Sequence, residues 1–261
     1  MNDTETSSRT LSTVSTTFRI IDALERLGEA TATELMSDLD LSKSAVYNHL
    51  TTLKQHGYIV QEDDSYLLSL EFLRLGEFVR NKNQLYVTAQ PRLIELAEST
   101  GEYAHLSTEE HGRLMHIWKV KSEHAVGQRF QKKKMQETDR LHYTATGKAI
   151  LAHLPKNRQE EIVQGSELVQ KTENTITAPD ALQEELDTIR SNGYSYNDEE
   201  QIKGLRAVGA PIHDKDGCVI GAISVSGPTS RIKGNEFRKE IPEAVMRTAN
   251  IIEVDLNMDS R

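Results

Sequence analysis

The sequence predicts an α+β fold in two parts, a small helical unit that ends in a β-hairpin and a larger unit built on an antiparallel sheet. Three helical periodicities, followed by two short alternating runs, occupy residues 13–69. Strand-like and helical periodicities share residues 85–261, and a turn at residues 214–217 joins the last two strand-like runs as a hairpin. A chain of 261 residues is long enough for two domains that each bury a core.

Composition restricts the class of protein. The hydrophobic share of 37% and the charged share of 27% are ordinary for a globular chain. No apolar run approaches the ~18 residues that a membrane helix needs, and the polar residues 1–6 lack the features of a signal peptide. The single cysteine, Cys218, excludes an intramolecular disulfide framework and a site of several cysteines. We therefore expect a cytoplasmic protein with no membrane partner, cofactor or bound metal.

The net charge of −9 argues against a protein that coats nucleic acid unspecifically, because such domains are usually basic. Two interpretations stay open. Contact with DNA is either local and assisted by dimerisation, or it takes place in a saline cytoplasm where phosphate attraction is weak in any case.

The first elements follow a disordered tail at residues 1–12, which are rich in Ser and Thr. A first helix is predicted over residues 14–27, with Gly28 at its end. A capping box at residues 31–34 begins a second helix, and Asp40 takes the left-handed conformation in the turn after it. The apolar residues expected to face the core are Val14, Phe18, Ile21 and Leu24 in the first helix and Leu35, Met36 and Leu39 in the second.

A third helix is predicted from the cap Ser42 to about His56, with Gly57 stopping it. Val46, Leu50 and Leu53 recur at helical spacing and face inward. Residues 58–61 and 65–69 alternate as a hairpin about the turn 62–64. Three short helices followed by a hairpin predict a winged helix-turn-helix over residues 13–69.

Residues 41–61 contain no Asp or Glu in an otherwise acidic chain, as a helix lying against phosphates requires. The side chain of Asn48 can pair with adenine, while Lys43, Ser44 and Thr51 suit phosphates or mixed contacts. Some three-helix units mediate protein contacts only, and each outward residue taken alone could be solvated surface. The candidate DNA-binding residues are Ser42, Lys43, Ser44, Tyr47, Asn48, Thr51 and Lys54.

A linker helix is predicted over residues 70–84, with apolar residues on more than one face, so we expect it to pack on the winged helix and on a sister subunit. The remainder, residues 85–261, forms one sensor-like domain. Its predicted strands are 103–108, 114–121, 206–213 and 219–226. Its predicted helices are 86–100, 145–153, 157–164, 179–192 and 235–256.

Five segments in order resemble the IclR family of prokaryotic transcription regulators, and the resemblance covers nearly the whole chain. They are residues 41–47, 141–152, 193–200, 204–211 and 222–228. The resemblance implies a GAF-like effector-binding domain, a homodimer or tetramer, and a small organic effector such as a carboxylic acid, an aromatic acid or a sugar derivative. By position it implies that the effector contacts Ala145, Thr146, Asn197, Ala207, Ser224 and Ser226.

Several positions depart from the pattern of that family. Asn197 stands where Asp is frequent, and Ala207 where Cys is frequent. In the third helix, Asn48 replaces a frequent Arg and His49 replaces an apolar residue. The tip of the wing, residues 62–64, is acidic instead of basic.

The residues also indicate the chemistry of the effector site. Thr144 is a candidate N-cap, which would leave the N–H groups of Ala145, Thr146 and Gly147 exposed to a carboxylate or phosphate. Ser224 and Ser226 are two apart on a strand and point to the same face. Neutral donors and acceptors suit a ligand with hydroxyl groups. Alternatively, Thr144 only caps its helix and the serines satisfy buried backbone groups.

Other motifs give weaker signals. Gly147 and Lys148 fail the spacing of a phosphate loop, so Lys148 is expected to be a structural or surface residue. The basic run 129–134 is expected to be a solvated loop over the pocket or an interface, and Cys218 a passive hairpin residue. A metal site would require four histidines to converge, and ordinary strand and loop positions are the expectation for His105, His111, His116 and His124.

The function these features predict is a transcription regulator that binds a near-palindromic double-stranded DNA operator and responds to a small metabolite. A sugar or organic acid of a catabolic pathway is favoured as the effector. The alternatives are a DNA-binding scaffold without effector and an enzyme. No nucleophile elbow, zinc-binding His pair or dinucleotide glycine run occurs, so an enzyme is not expected.

Overall fold

The computed structural model describes residues 10–125 and 139–259. The chain divides into two units, with the boundary between Val79 and Arg80. Within the described part, no helix is both long and apolar enough to cross a membrane.

Within the described residues, the first unit has three helices, most of a fourth helix that crosses the boundary, and a three-stranded antiparallel sheet in the order β1-β3-β2. Strand β1 was not predicted, because a pair of residues carries no periodic signal. The wing is the hairpin of β2 and β3, whose turn is Asp63-Asp64, with Asp63 in the left-handed region at φ 50°. The elements are α1 (Ser12–Leu27), β1 (Ala30–Thr31), α2 (Ala32–Leu39), α3 (Lys43–Gln55), β2 (Ile59–Glu62), β3 (Ser65–Leu68) and α4 (Glu71–Lys82), the last extending past the boundary.

Local capping fixes the ends of these helices as the sequence predicts. Thr31 and Glu34 form the capping box of α2, and Asp40 ends α2 with φ 52° and ψ 52°. The hydroxyl of Ser42 accepts a hydrogen bond from the N–H of Ala45 over 3.3 Å at the start of α3. The turn between α2 and α3 is therefore encoded by short-range contacts.

The core of the first unit corrects the predicted face of α1. Val14 and Phe18, expected inside, are 48% and 60% exposed. The buried residues of α1 are Ile20, Ala23 and Leu24, all in its second half, so its first turns do not pack on this core. The apolar periodicity continues along the helix beyond the length that the core covers.

The second unit contains a five-stranded antiparallel sheet in the order β5-β4-β8-β7-β6. The predicted bounds of α6 and α8 are confirmed, whereas β6 was not predicted. Its four residues include Asn197 and Asp198, whose types are uncommon in strands. The elements are α5 (Gln84–Thr100), β4 (Tyr103–Glu110), β5 (Arg113–Lys121), α6 (Ala145–His153), α7 (Lys156–Gly165), α8 (Pro179–Asn192), β6 (Ser195–Asp198), β7 (Leu205–His213), β8 (Val219–Pro228) and α9 (Ile241–Asp259).

The two faces of this sheet differ in chemistry. One face is apolar, and residues such as Leu106, Val208 and Val225 share a buried cluster with α5 and α9. On the other face, the side chains alternate towards α6 and include His105, Ser224 and Ser226, all buried. The polar face is where a ligand could be recognised.

A buried acid lies at the end of the sheet. The side chain of Glu102 is fully buried, and its Oε1 lies 2.6 Å from Arg231 Nε in an ion pair whose geometry is not that of a hydrogen bond. Burial raises the pKa of the Glu102 carboxyl above its usual value. A Cβ on Gly227 would lie 2.5 Å from Glu102 Oε2, so a side chain at this position would displace the carboxylate.

Candidate functional site

The outer face of α3 carries all seven candidate DNA-binding residues, and all seven are exposed. On its inner side Val46, Leu50 and Leu53 are at most 5% exposed and lie in the core of the first unit. The helix is therefore anchored by one face and free on the other. Lys43 lies at its first turn and Lys54 at its last.

The wing supports this face from one side. Lys54 Nζ donates to Gln61 Oε1 over 2.9 Å, and Gln61 Nε2 donates to the carbonyl of Asp63 over 3.0 Å. The wing tip carries Glu62, Asp63 and Asp64, which repel phosphates. On this side of the unit, Lys43 and Lys54 of α3 are cations that could attract a DNA backbone, and the wing orients Lys54.

The polar residue His49 has a structural explanation. Its Nδ1 lies 2.9 Å from Thr17 Oγ1, so a hydrogen bond links α3 to α1 at a half-buried position. An apolar side chain at this position would leave the Thr17 hydroxyl without this partner.

The start of α6 lies against the polar face of the large sheet. Thr144 is the predicted N-cap, and its Oγ1 accepts from the N–H of Gly147 over 3.0 Å. This corrects one expectation, because the N–H of Gly147 is not free for a ligand. The N–H groups of Ala145 and Thr146 remain at the helix start without an acceptor inside the helix.

Close packing holds this helix start on the sheet. Ser195 Oγ donates to the carbonyl of Ala145 over 2.6 Å. A Cβ on Gly209 would lie 2.8 Å from the carbonyl carbon of Ala145, which is closer than real Cβ contacts. A glycine at 209 therefore lets the backbone of α6 approach β7.

Strand register brings the predicted effector residues together. Asn197 pairs with Ala207 and Ala207 with Ser226, while Ser224 pairs with Gly209 one step along the same face. Ser224 and Ser226 thus share a face. All six predicted positions are at most 5% exposed, and they are Ala145, Thr146, Asn197, Ala207, Ser224 and Ser226.

The hydrogen bonds of these residues separate their roles. Asn197 Nδ2 donates to the carbonyl of Tyr143 over 2.7 Å, and its Oδ1 accepts from the N–H of Glu200 over 3.0 Å. Asn197 thus joins β6 to the segment before α6. Ser226 Oγ lies 2.8 Å from His105 Nε2. Within residues 10–125 and 139–259, the hydroxyl of Ser224 has no hydrogen-bond partner, which leaves it able to bind a ligand.

Beside these residues lies a group of polar side chains that the sequence did not indicate as a site. Thr146, Ser107, His116 and Asp139 form a continuous chain of hydrogen bonds. Tyr143 OH also donates to Asp139, and burial raises the pKa of Tyr143 to about 12. The alternation of β4 places Ser107 on the same face as His105, a signal that could have found it.

Lys148 is a structural residue. Its side chain is 1% exposed, and its Nζ lies 2.8 Å from Glu185 Oε1 and 2.7 Å from Glu200 Oε1. Burial raises the pKa of the Glu200 carboxyl, although Lys148 opposes that shift. The ion group links α6 to α8 and to the segment after β6.

The remaining predicted motifs have different outcomes. Across the described ranges, no group of three or more His, Cys, Asp or Glu side chains is arranged to hold a metal ion. His105 and His116 lie close together, with ring centroids 6.5 Å apart. Cys218 is exposed and free beside the hairpin turn. The basic run 129–134 lies outside the described residues.

Together, a helix-turn-helix with an exposed reading helix and a second unit with a buried polar site define a DNA-binding regulator with an effector domain. Two sequence profiles match the chain, the IclR helix-turn-helix domain at residues 13–63 and the bacterial transcriptional regulator IclR C-terminal domain at residues 78–254. The protein belongs to the IclR family of transcriptional regulators.

Comparisons with individual proteins agree. A probable HTH-type transcriptional regulator ArcR of Halobacterium salinarum is 37% identical over 249 residues, which cover 95% of each chain. The crystal structure of Thermotoga maritima IclR superposes with a TM-score of 0.72 at 28% identity, covering 94% of this chain and 98% of that one. An IclR homologue of Microbacterium hydrocarbonoxydans, complexed with 4-hydroxybenzoate, shares the fold with a TM-score of 0.73 at 21% identity, covering 87% and 91%.

Proposed function

We propose that two copies of this chain bind a near-palindromic operator through α3 and that a small metabolite in the second unit modulates this binding. The observation that carries the proposal is the exposed face of α3, which is free of carboxylates and backed by a fully buried apolar face. In a symmetric dimer, two such helices enter successive major grooves about 34 Å apart. This geometry requires a roughly symmetric DNA site.

Within α3 we assign separate tasks to the side chains. Asn48 lies at the middle of the exposed face and reads a base edge, with adenine as its best partner. Lys43 and Lys54 at the two ends, together with the hydroxyls of Ser42, Ser44 and Thr51, hold phosphates. Tyr47, 43% exposed, packs its ring against the sugar–phosphate backbone.

We propose that the effector is a sugar acid or another hydroxylated organic acid. Its carboxylate binds the N–H groups of Ala145 and Thr146 at the start of α6, where the helix dipole favours an anion. The hydroxyl of Ser224 contacts the body of the ligand, beside Ala207. The homologue complexed with 4-hydroxybenzoate supports the class, because that ligand also carries a carboxylate and a hydroxyl.

Footprinting and salt-dependent affinity measurements test DNA binding. Reversing the charge of Lys43 and Lys54 should weaken binding to all DNA sequences. The slope of log affinity against log salt concentration should also become shallower, by about 1 for each phosphate that the variant no longer neutralises. Asn48→Ala should instead relax sequence preference. Lys156→Glu, an exposed lysine of the second unit, is the control. Unchanged affinity at several salt concentrations in the reversed variant contradicts the proposal.

A thermal-shift screen of sugar acids and aromatic acids tests the effector, because a ligand that binds the folded state stabilises it. Binding of the effector must also change the affinity of the protein for its operator. A ligand with equal affinity for the DNA-binding and the non-binding conformation would not shift the equilibrium between them. A panel that gives no shift favours the alternative of a DNA-binding scaffold without effector.

A further inference from the structure

A chain of hydrogen bonds leads away from the start of α6. Thr146 Oγ1 donates to Ser107 Oγ over 3.3 Å, Ser107 Oγ lies 3.1 Å from His116 Nδ1, and His116 Nε2 lies 2.9 Å from Asp139 Oδ2. Thr146, Ser107 and Asp139 are at most 4% exposed. Because bulk water is excluded, the direction of each hydrogen bond in this chain is fixed by the protein.

The two ends of the chain, Asp139 and Thr146, set that direction. A carboxylate only accepts hydrogen bonds, and Gln201 Nε2 donates to Asp139 Oδ2 over 2.8 Å in addition to His116. His116 carries a hydrogen on Nε2 that faces this carboxylate. Thr146 Oγ1 is the donor to Ser107 Oγ, so the Ser107 hydroxyl keeps its own hydrogen for His116 Nδ1, which is the acceptor. The hydroxyl of Ser107 then gives its hydrogen to Nδ1 and accepts from Thr146. Every hydrogen in the chain points from Thr146 towards Asp139.

This direction determines what Thr146 offers to a ligand. Its hydroxyl hydrogen is committed to Ser107, so Oγ1 presents only lone pairs. Its N–H is one of the two donors at the start of α6. The same residue thus offers a donor to a carboxylate and, next to it, an acceptor.

We propose that the effector site selects 2-hydroxy acids over 2-oxo acids, and this inference rests on the carboxylate site of the proposed function. The hydroxyl on the carbon beside the carboxylate donates to Thr146 Oγ1. A 2-oxo acid places a carbonyl oxygen at that position, so two acceptors face each other without a hydrogen between them. An unsatisfied buried acceptor is strongly unfavourable, and sites built to pair with a hydroxyl discriminate accordingly.

The combination of Ser107, His116 and Asp139 also invites comparison with a hydrolase. Ser107 lies within β4, with strands paired on both sides, and its hydroxyl accepts from Thr146. The reacting serine of a hydrolase needs an approach for the substrate carbonyl. These contacts favour a binding role.

Calorimetric titration of the full-length protein with matched acids tests the inference. The pairs are lactate and pyruvate, glycerate and hydroxypyruvate, and gluconate and 2-ketogluconate. We expect the hydroxy acid of a pair to bind at least about tenfold more tightly, as the loss of one buried hydrogen bond implies. Thr146→Val keeps the N–H and the side-chain shape but removes the Oγ1 acceptor. The ratio of the affinities for the hydroxy acid and the oxo acid should therefore fall to about one. Thr188→Val, which removes an exposed hydroxyl on α8, should retain it.

Ser107→Ala gives the sharper test. It removes the acceptor for the Thr146 hydrogen, which can then be donated to a ligand carbonyl. The preference should shift towards the 2-oxo acid of each pair, and this result can be obtained even if Thr146→Val does not fold.

The outcomes separate this inference from the proposed function. Equal affinity for both acids of each pair, or a preference that persists in Thr146→Val, overturns the inference and leaves the carboxylate site intact. Absence of binding by all six acids overturns the inference and the proposed carboxylate site, whereas operator binding is decided by footprinting. Hydrolysis of p-nitrophenyl acetate that disappears in Ser107→Ala overturns the binding role of the chain.

Discussion

Gly209 shows how one missing side chain shapes the effector site. Its hydrogen atom faces the backbone of Ala145, and the close approach lets Ser195 reach the Ala145 carbonyl. The two N–H groups proposed to hold a carboxylate are fixed by this contact. The backbone angles of Gly209 are ordinary, so its role is spatial and not conformational.

Replacing Gly209 with alanine should therefore displace the start of α6. We expect a loss of stability of roughly 1–3 kcal/mol, as for other overpacked sites, and weaker binding of carboxylates. Urea unfolding and titration with gluconate measure the two effects. Gly76→Ala is the matched control, because a Cβ at that helical position meets nothing within 4 Å. It should gain roughly 0.5–1 kcal/mol. Unaltered carboxylate binding in Gly209→Ala would contradict the proposed site.

At the scale of elements, capping residues made it possible to predict where helices begin and end. The caps Thr31, Ser42 and Thr144 and the left-handed Asp40 depend on contacts within four residues, so they are visible in the sequence. The hairpin at 214–217 is equally local. Strands β1 and β6 were not predicted, because their own residues give no strand pattern. They are strands because they pair with β3 and β7.

Helix α6 depends on a buried ion group that can be tested directly. Lys148→Met should lower the free energy of unfolding by roughly 3–5 kcal/mol, because Glu200 loses its cation inside the protein. This loss of stability should become smaller on acidification. The raised pKa of Glu200 means that its carboxyl takes up a proton at a higher pH in the folded protein than in the unfolded chain, and the neutral carboxyl no longer needs a cation. Urea unfolding at pH 7 and pH 5 measures both effects.

Lys156→Met serves as the control for this experiment. Lys156 lies 4.0 Å from Glu160 and both side chains are more than half exposed. Such pairs contribute about 0–1 kcal/mol. Equal losses in the two variants would show that the buried group adds nothing to stability.

At the scale of the whole molecule, site contacts between residues that are far apart in the sequence were the hardest to predict. The six effector positions came from the family resemblance. Strand register brings four of them, Asn197, Ala207, Ser224 and Ser226, to one face, and the other two lie at the start of α6. Ser107, His116 and Asp139 were missed because their contacts join residues that lie 9 to 39 positions apart. The double use of Asn197 depends on side-chain geometry that no pattern in the sequence specifies. The capture of the Gly147 N–H, in contrast, follows from the predicted cap, because an N-cap side chain accepts from the second or third N–H of its helix.

Two histidines of the second unit predict how stability varies with pH. Burial is the main cause that lowers the pKa of His142 and of His153. The unfolded chain therefore binds more protons as the pH falls below about 6.5, and the folded state loses stability in that window. The raised pKa values of Glu102 and Glu200 act in the opposite direction at lower pH.

The contribution of one histidine can be isolated. His153→Gln should show a smaller loss of stability than the wild type between pH values of about 7.5 and 5.5 in urea unfolding. His124→Gln, at an exposed position, is the control and should follow the wild type. An unchanged slope in His153→Gln would contradict this assignment.

The packing of Gly227 against Glu102 also has an evolutionary consequence. A Cβ at 227 would lie 2.5 Å from Glu102 Oε2, so the carboxylate would have to shift. The two positions should consequently co-vary among descendants of a common ancestor. A lineage that gains a larger residue at 227 should have replaced the acid at 102 by a smaller side chain first, while Arg231 would keep its hydrogen bonds to the carbonyls of Gly101 and His124.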